Sequence, residues 1–168
     1  MVKIMKKEIT KDEENYENWK DNYSMYMSYY LSPESVADGE KPESLENLQK
    51  EIKQTFGIKN ENIRKASSWV LSEHLLNKML SYNPKDREKI IMKCMDIAYK
   101  KNKDYGSANI LDFGISGLLV RINDKIARLV NLQKVKTRSV QDETIEDTVE
   151  DIINYSVYLQ MLSEDVWF

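Results

Sequence analysis

The residues from 143 to 155 carry the pattern that most restricts the fold of this chain. At about 100° per residue on a helix, polar side chains gather on one side, namely those of Glu143, Asp147, Glu150, Asp151 and Asn154. Apolar side chains gather almost opposite to them, namely those of Ile145, Val149, Ile152 and Leu159. The segment therefore predicts a helix that packs on one face and carries carboxylates on the other. Because like charges at i,i+4 repel by about 0.2–0.5 kcal/mol per pair, this face gains from a cation, which is lysine, arginine or a metal ion.

The chain as a whole favours helices over strands. Its 168 residues suffice for one compact domain with a buried core, and two independent domains are not expected. With 41% hydrophobic and 32% charged residues but only 5 glycines and 3 prolines, the composition is typical of a largely helical protein. Strand-type alternation is nearly absent. The sequence therefore predicts an all-α fold.

Charge and hydropathy argue against two classes of partner, although a local basic pocket remains compatible with the net charge. A net charge of −3 argues against a nonspecific nucleic-acid binder, which normally displays a basic face, so no direct nucleic-acid binding is expected. No stretch approaches the roughly 18 apolar residues that a membrane-spanning helix needs. We expect a cytoplasmic protein that does not insert into membranes.

Five further helices follow from apolar residues at i, i+3 and i+4 spacing. They are expected at about residues 10–31, 43–57, 61–82, 85–101 and 115–135. Thr10 and Asp12 are candidate caps for the first helix, and Gly57 is a candidate C-terminal cap for the second. Pro84 separates the third helix from the fourth.

The first of these helices has an aromatic and methionine-rich stripe, formed by Trp19, Tyr23, Tyr26, Met27 and Tyr30. Such a stripe can stack on bases, but at this spacing it more often packs against another helix, and the packing interpretation is preferred. Together with Trp69 and residues 166–168, this surface exceeds what one small bundle must bury. A homodimer or higher homo-oligomer is therefore expected.

Cysteine and histidine chemistry is not expected to carry the function. Cys94 is the only cysteine, so no internal disulfide forms, and its apolar surroundings predict an inert core thiol. His74 is the only histidine and lies on a predicted helix, where a structural role is more common than that of a general base.

Two segments have basic residues at positions suited to phosphate. Residues 100–109 include three lysines, Tyr105 and Gly106, which can meet phosphates and a base, or simply end a helix. Further on, Arg121, Asp124, Lys125 and Arg128 form one stripe of a helix, about the length of a polyphosphate. Either this stripe forms salt bridges with the acids at 143–151, or both form a metal–phosphate site. The residues alone leave the two alternatives open.

Three motifs resemble the nucleotide modification associated domain 1 family, which is common in phages. They are Lys103-Asp-Tyr-Gly106, Arg121-x-x-Asp124-Lys125-x-x-Arg128-Leu129, and Glu143-x-x-x-Asp147-Thr148-x-x-Asp151-x-x-x-Tyr155. The resemblance covers roughly residues 99–165. That family in turn is similar to the all-α nucleoside triphosphate pyrophosphohydrolases of the MazG and dimeric dUTPase group.

The resemblance implies a MazG-like antiparallel helical bundle with an additional N-terminal helical segment. Residues 1–98 would be this segment packing on the bundle, and residues 99–168 the nucleotide- and metal-binding helical region. It implies a Mg²⁺ ion, or Mn²⁺ in its place, held by Asp124, Glu143, Asp147 and Asp151, while Glu146 or Glu150 orients a water. The residues implied to bind the nucleotide are Lys103, Tyr105, Arg121, Lys125, Arg128, Asn154 and Tyr155.

Three functions are therefore considered. The first is a Mg²⁺-dependent (deoxy)nucleoside triphosphate pyrophosphohydrolase, which releases a nucleoside monophosphate and pyrophosphate. The second is a nucleotide-binding protein without hydrolytic activity that serves phage nucleotide metabolism or base modification, or sequesters a signal nucleotide. The third is a helical interaction protein whose polar stripes form only salt bridges.

Overall fold

The computed structural model of the chain describes residues 10–32, 41–106, 108–134 and 145–167. These ranges contain helices and no strand, which confirms the predicted all-α fold. The α-helices are α1 (Lys11–Tyr29), α2 (Leu45–Gly57), α3 (Glu61–Leu80), α4 (Arg87–Tyr105), α5 (Ala108–Lys134) and α6 (Ile145–Ser163). A short 3-10 helix, Pro84–Asp86, precedes α4. None of these helices is both long and apolar enough to cross a membrane.

The helix ends follow the capping chemistry of the sequence, with one exception. The Thr10 hydroxyl accepts from the backbone N–H of Glu13, whose carboxylate accepts from the backbone N–H of Thr10. Gly106 ends α4 with φ 74°, a conformation that glycine adopts without strain. The prediction of Gly57 as the cap of α2 is wrong, because Gly57 is still helical and Ile58, in an extended conformation, takes the cap position.

Helix α5 begins earlier than predicted and contains a kink. It starts at Ala108 rather than near Ile115, and Gly114 interrupts it with φ 55° and ψ −147°. This region of backbone space is essentially restricted to glycine, which has no Cβ. Residues 108–113 therefore form a separate first turn, which lies at the site described below.

Helix α6 is the centre of the fold, since it packs against α1, α3, α4 and α5. It is buried on more sides than an amphipathic surface helix, and the polar residues Glu150 and Asn154 are only 2% and 5% exposed. The predicted division into a packed face and a solvated acidic face is therefore only partly right. Buried polar side chains need partners, and those of α6 find them on α1 and α4.

The aromatic stripe of α1 packs inside the chain, as predicted. Trp19, Tyr23, Met27 and Tyr30 are buried in the core. The Trp19 ring stacks on Tyr23 with 5.1 Å between ring centroids and meets Trp167 edge-on at 6.0 Å. These side chains are covered by α6 and the C-terminal residues, so they are not the surface on which oligomer formation can depend.

We still expect a homo-oligomer, but through other side chains. Large apolar residues that the structure leaves exposed include Phe56, Ile63 and Val70 on α2 and α3, and Phe113 and Val120 on α5. Where such side chains form one contiguous patch, they favour association. Light scattering at micromolar concentration should give a mass above that of the 19.8 kDa chain. A mass equal to that of the single chain would reject the prediction.

Cys94 and His74 have the structural roles that the sequence predicts. Cys94 is fully buried, and burial raises the pKa of its thiol to about 12, so that it stays protonated and unreactive. His74 Nδ1 lies 2.9 Å from Glu51 Oε1, in a pair that connects α3 with α2. Neither residue lines the pocket described next.

Candidate functional site

A pocket of about 260 Å³ opens where the end of α4 and the start of α5 meet α6. Five residues that the sequence analysis assigned to the site line it, namely Tyr105, Arg121, Asp151, Asn154 and Tyr155. They come from three helices and lie up to 50 positions apart in the chain, so the fold brings them together. The other lining residues are Lys101, Asn102, Gly106, Asn109, Ile110, Tyr158 and Trp167.

One wall of the pocket is aromatic. Tyr155 and Tyr158 are one helical turn apart on α6, with 6.2 Å between ring centroids. Trp167 meets Tyr158 edge-on at 5.1 Å. Edge-to-face rings at these distances support one another and hold a fixed apolar surface. Tyr158 and Trp167 are largely buried, at 7% and 3% exposed, so the wall is an edge of the hydrophobic core that reaches the pocket.

An ionic cluster that links three helices borders the pocket, which Lys101 and Asp151 line and Lys125 does not. Asp151 of α6 is the centre, with its Oδ2 atom 2.8 Å from Nζ of Lys125 on α5 and its Oδ1 atom 3.3 Å from Nζ of Lys101 on α4. The Lys125–Asp151 pair is the salt bridge that one of the two alternatives for the basic stripe requires. Arg121, one turn before Lys125, lines the pocket itself.

Glu146 and Glu150, the candidates for orienting a water, lie on the side of α6 that faces α4. Lys93 Nζ is 2.8 Å from Glu150 Oε1 and 3.4 Å from Glu146 Oε1. Burial raises the pKa of Glu150 above its ordinary value, and Lys93 opposes this shift. Neither glutamate lines the pocket, so the structure does not bring them to the predicted nucleotide-binding residues.

The candidate metal ligands do not form a metal site in the part of the chain that the structure describes. Asp124 is exposed on α5, Asp147 is half-buried on α6, and Glu143 lies outside the described residues. Within the described ranges, no group of three or more His, Cys, Asp or Glu side chains could hold a metal ion. Both oxygens of Asp151 face lysines instead. The described acids alone therefore do not fit Mg²⁺, and the metal stays a prediction.

Two cations of the predicted nucleotide site lie elsewhere. Lys103 lines an adjoining cleft of about 650 Å³, together with acids of α1 and α4, namely Asp12, Glu13, Glu17 and Asp104. Arg128 is half-buried on α5, two turns beyond Arg121, and does not line the pocket. The phosphate contacts assigned to Lys103 and Arg128 are therefore outside the pocket proper.

The sequence analysis missed several lining residues. Tyr158 follows Tyr155 by three positions and Asn154 by four, so the helical period could have placed it on the same face. Trp167 lies beyond α6 and reaches the pocket only because the chain turns back after Ser163. Lys101 belongs to the lysine-rich segment that was considered for phosphate binding as a whole.

A comparison with known protein families matches a segment that contains every lining residue of this pocket except Trp167. No curated protein and no solved structure matches the chain. The family model of nucleotide modification associated domain 1 matches residues 101–162, which cover the end of α4, all of α5 and most of α6. The resemblance predicted from the three motifs is thus confirmed, whereas its extension to the MazG group stays a prediction. The match shows that residues 101–162 of this chain are similar to the nucleotide modification associated domain 1 family.

Proposed function

We propose that this chain binds a nucleotide in the pocket between α4, α5 and α6. The observation that carries the proposal is that one pocket combines the aromatic wall, Tyr155, Tyr158 and Trp167, with the cationic residues Lys101 and Arg121. A base offers flat faces to aromatic side chains, and a phosphate offers oxygens that Arg binds in bidentate fashion. The pocket therefore suits both ends of a nucleotide. The description of the matching family agrees with this chemistry.

The volume of the pocket suits one nucleoside and its first phosphate. At about 260 Å³ it is slightly smaller than the roughly 300–1,000 Å³ of typical ligand pockets. Further phosphates would lie outside it, along α5, where Lys125 and Arg128 follow Arg121 at i+4 and i+7. A nucleoside monophosphate thus fills the pocket, either as the ligand itself or as part of a triphosphate.

Hydrolysis of a (deoxy)nucleoside triphosphate to a monophosphate and pyrophosphate is the second candidate. It is favoured by the carboxylate of Asp151, which lies in the pocket within reach of two lysines and near the proposed phosphate position. Mg²⁺ would supply Lewis-acid stabilisation of the phosphoryl oxygens if residues such as Glu143 complete a site. Because the described acids alone do not fit the ion, no step of a mechanism is assigned to it.

A purely structural role for the polar stripes is the third candidate. It is favoured by the Lys125–Asp151 and Lys93–Glu150 pairs, which join α6 to its neighbours. Such pairs account for part of the stripes but not for the aromatic wall or for Arg121 in the pocket. The structural candidate predicts that no nucleotide changes the melting temperature.

A nucleotide panel separates the three candidates. Purified protein is titrated calorimetrically with the common ribo- and deoxynucleoside mono- and triphosphates, with Mg²⁺, with Mn²⁺ and with a chelator, and the products are identified by mass. Binding without product supports the proposal, and release of pyrophosphate that depends on a divalent metal supports the hydrolase. Absence of saturable binding by every nucleotide under all three conditions would contradict both.

A further inference from the structure

Tyr23 of α1 connects the N-terminal part of the chain to the pocket. Its side chain is fully buried, and its hydroxyl lies 2.6 Å from Oδ1 of Asn154. Asn154 is on α6, is 5% exposed and lines the pocket. Tyr23 itself lies outside the segment 101–162 that matches the family model. Tyr23 therefore lies outside the matched segment but forms a hydrogen bond directly with a residue that lines the pocket.

The hydrogen bonds of Asn154 fix which way its amide points. Asn154 Nδ2 lies 3.1 Å from the backbone carbonyl oxygen of Cys94 on α4. A carbonyl oxygen can only accept, so the amide nitrogen must face Cys94 and the amide oxygen must face Tyr23, whose hydroxyl donates. Burial raises the pKa of Tyr23 well above its ordinary value, so this donor keeps its proton at neutral pH.

The amide of Asn154 keeps capacity for a ligand after these two bonds. An asparagine amide has two N–H donors and two acceptor lone pairs on its oxygen. One N–H donates to the Cys94 carbonyl, and the amide oxygen accepts from the Tyr23 hydroxyl with one lone pair. One N–H donor and one lone pair of the amide therefore remain. Because the amide is held from α1 and from α4, the remaining N–H has a fixed direction on a residue that lines the pocket.

Packing around Tyr23 keeps the hydroxyl in place. Trp19 stacks on one side of its ring, with 5.1 Å between centroids and 10° between planes. Tyr158, which lines the pocket, meets the same ring at 5.8 Å and 62°. The ring therefore cannot turn its hydroxyl away from Asn154 without disturbing both neighbours.

We infer that Tyr23 is a positioning residue of the nucleotide pocket, which holds the Asn154 amide so that its second N–H meets a hydrogen-bond acceptor on the base. This inference rests on the proposed function. It adds that the ligand presents a carbonyl oxygen or an unprotonated ring nitrogen at the aromatic wall. The inference also makes α1 part of the site, so residues 101–162 alone would not form the complete pocket.

The chain provides a matched control for Tyr23 on the same two helices. Tyr30, the residue that caps the C-terminus of α1, is also a buried tyrosine, and its hydroxyl accepts from the side-chain amide of Gln160 on α6 at 2.6 Å. Gln160 does not line the pocket. Tyr23→Phe and Tyr30→Phe thus each remove one buried bond between a hydroxyl and an amide, but only the first bond reaches the site.

The test measures stability and binding in the full-length chain. The probe is the deoxynucleoside monophosphate that binds the wild type most tightly in calorimetric titrations of all four. Both variants should lower the melting temperature by similar amounts. Tyr23→Phe should weaken binding of the probe about two- to tenfold, the usual effect of one hydrogen bond, and Tyr30→Phe should not. Equal affinities of the two variants would overturn the inference but leave the proposed function standing.

A double-mutant cycle shows whether Tyr23 acts through Asn154. If it does, Asn154→Ala removes the group that Tyr23 positions, and adding Tyr23→Phe to it should weaken binding no further. Fully additive losses would overturn the inference, because they would mean that Tyr23 affects the ligand by another route. If the wild type bound none of the four probes, the inference and the monophosphate site of the proposed function would both fail.

Discussion

Replacing Lys93 with methionine is expected to lower the free energy of unfolding at neutral pH by about 3 kcal/mol, which is the lower end of the cost of stranding a buried charge. Lys93 Nζ lies 2.8 Å from Glu150, whose side chain is only 3% exposed, while the lysine itself is 46% exposed. Methionine keeps the aliphatic part of the side chain but leaves the carboxylate without its cation. Urea unfolding of both proteins measures the difference.

The loss should depend on pH. Burial raises the folded-state pKa of Glu150 above its ordinary value of 4.5. A carboxyl group whose pKa is higher in the folded state stabilises the fold fully below the unfolded-state value, and this contribution disappears as the pH rises through the folded-state pKa. Lys93 lowers the folded-state pKa of Glu150, so this pKa should be higher in the Lys93→Met variant. The variant should therefore go on losing stability up to a higher pH than the wild type does. The variant should thus approach the wild type near about pH 4 and differ most near about pH 7.

Two further variants test the assignment to Glu150. Lys100 lies on the same helix and pairs with Asp96 at 2.8 Å, but both side chains are largely exposed, at 73% and 63%. Lys100→Met should therefore have a much smaller effect, because an exposed ion pair contributes little to stability. Adding Glu150→Gln to Lys93→Met should restore part of the stability, because a neutral amide has no charge to strand. Equal losses for Lys93→Met and Lys100→Met would contradict the account.

Replacing Arg121 with alanine is expected to weaken nucleotide binding by about 1.5–3 kcal/mol, or roughly ten- to over a hundredfold. Arg121 lines the pocket, and its planar guanidinium can form two parallel hydrogen bonds with a phosphate. Arg121→Lys keeps the charge without this geometry and should have intermediate affinity. Calorimetric titration with a deoxynucleoside monophosphate measures all three proteins.

Arg128 provides the control for this experiment. It lies seven residues further along α5 and does not line the pocket. Arg128→Ala should leave the affinity for a monophosphate unchanged. A triphosphate that extends along α5 should bind this variant less tightly than it binds the wild type. If Arg121→Ala binds a monophosphate as well as the wild type does, Arg121 is not the phosphate ligand.

The sequence predicts the helices better than it predicts how they pack. Apolar spacing locates each helix, because one buried stripe is enough to define the period. It cannot show that α6 is surrounded by four helices, since burial of Glu150 and Asn154 depends on partners such as Lys93 and Tyr23 that lie far away in the chain. The kink at Gly114 also depends on tertiary structure.

Some residues of the candidate site could be predicted from the sequence and others could not. Arg121, Asp151 and Tyr155 are predictable from the family motifs, and Asn154 from its position on the same side of α6. Trp167 and the contribution of Tyr23 are not, because they reach the pocket through a chain reversal and through another helix. The predicted ligand Glu143 lies outside the described residues.

The central claim is that a nucleotide lies in the pocket between α4, α5 and α6. A crystal structure of the protein grown with the tightest-binding deoxynucleoside monophosphate tests it most directly. The account predicts a base against Tyr155, Tyr158 and Trp167, with a phosphate oxygen within about 3 Å of the Arg121 guanidinium. A nucleotide bound in the cleft beside Lys103, or anywhere else outside the pocket, would contradict it.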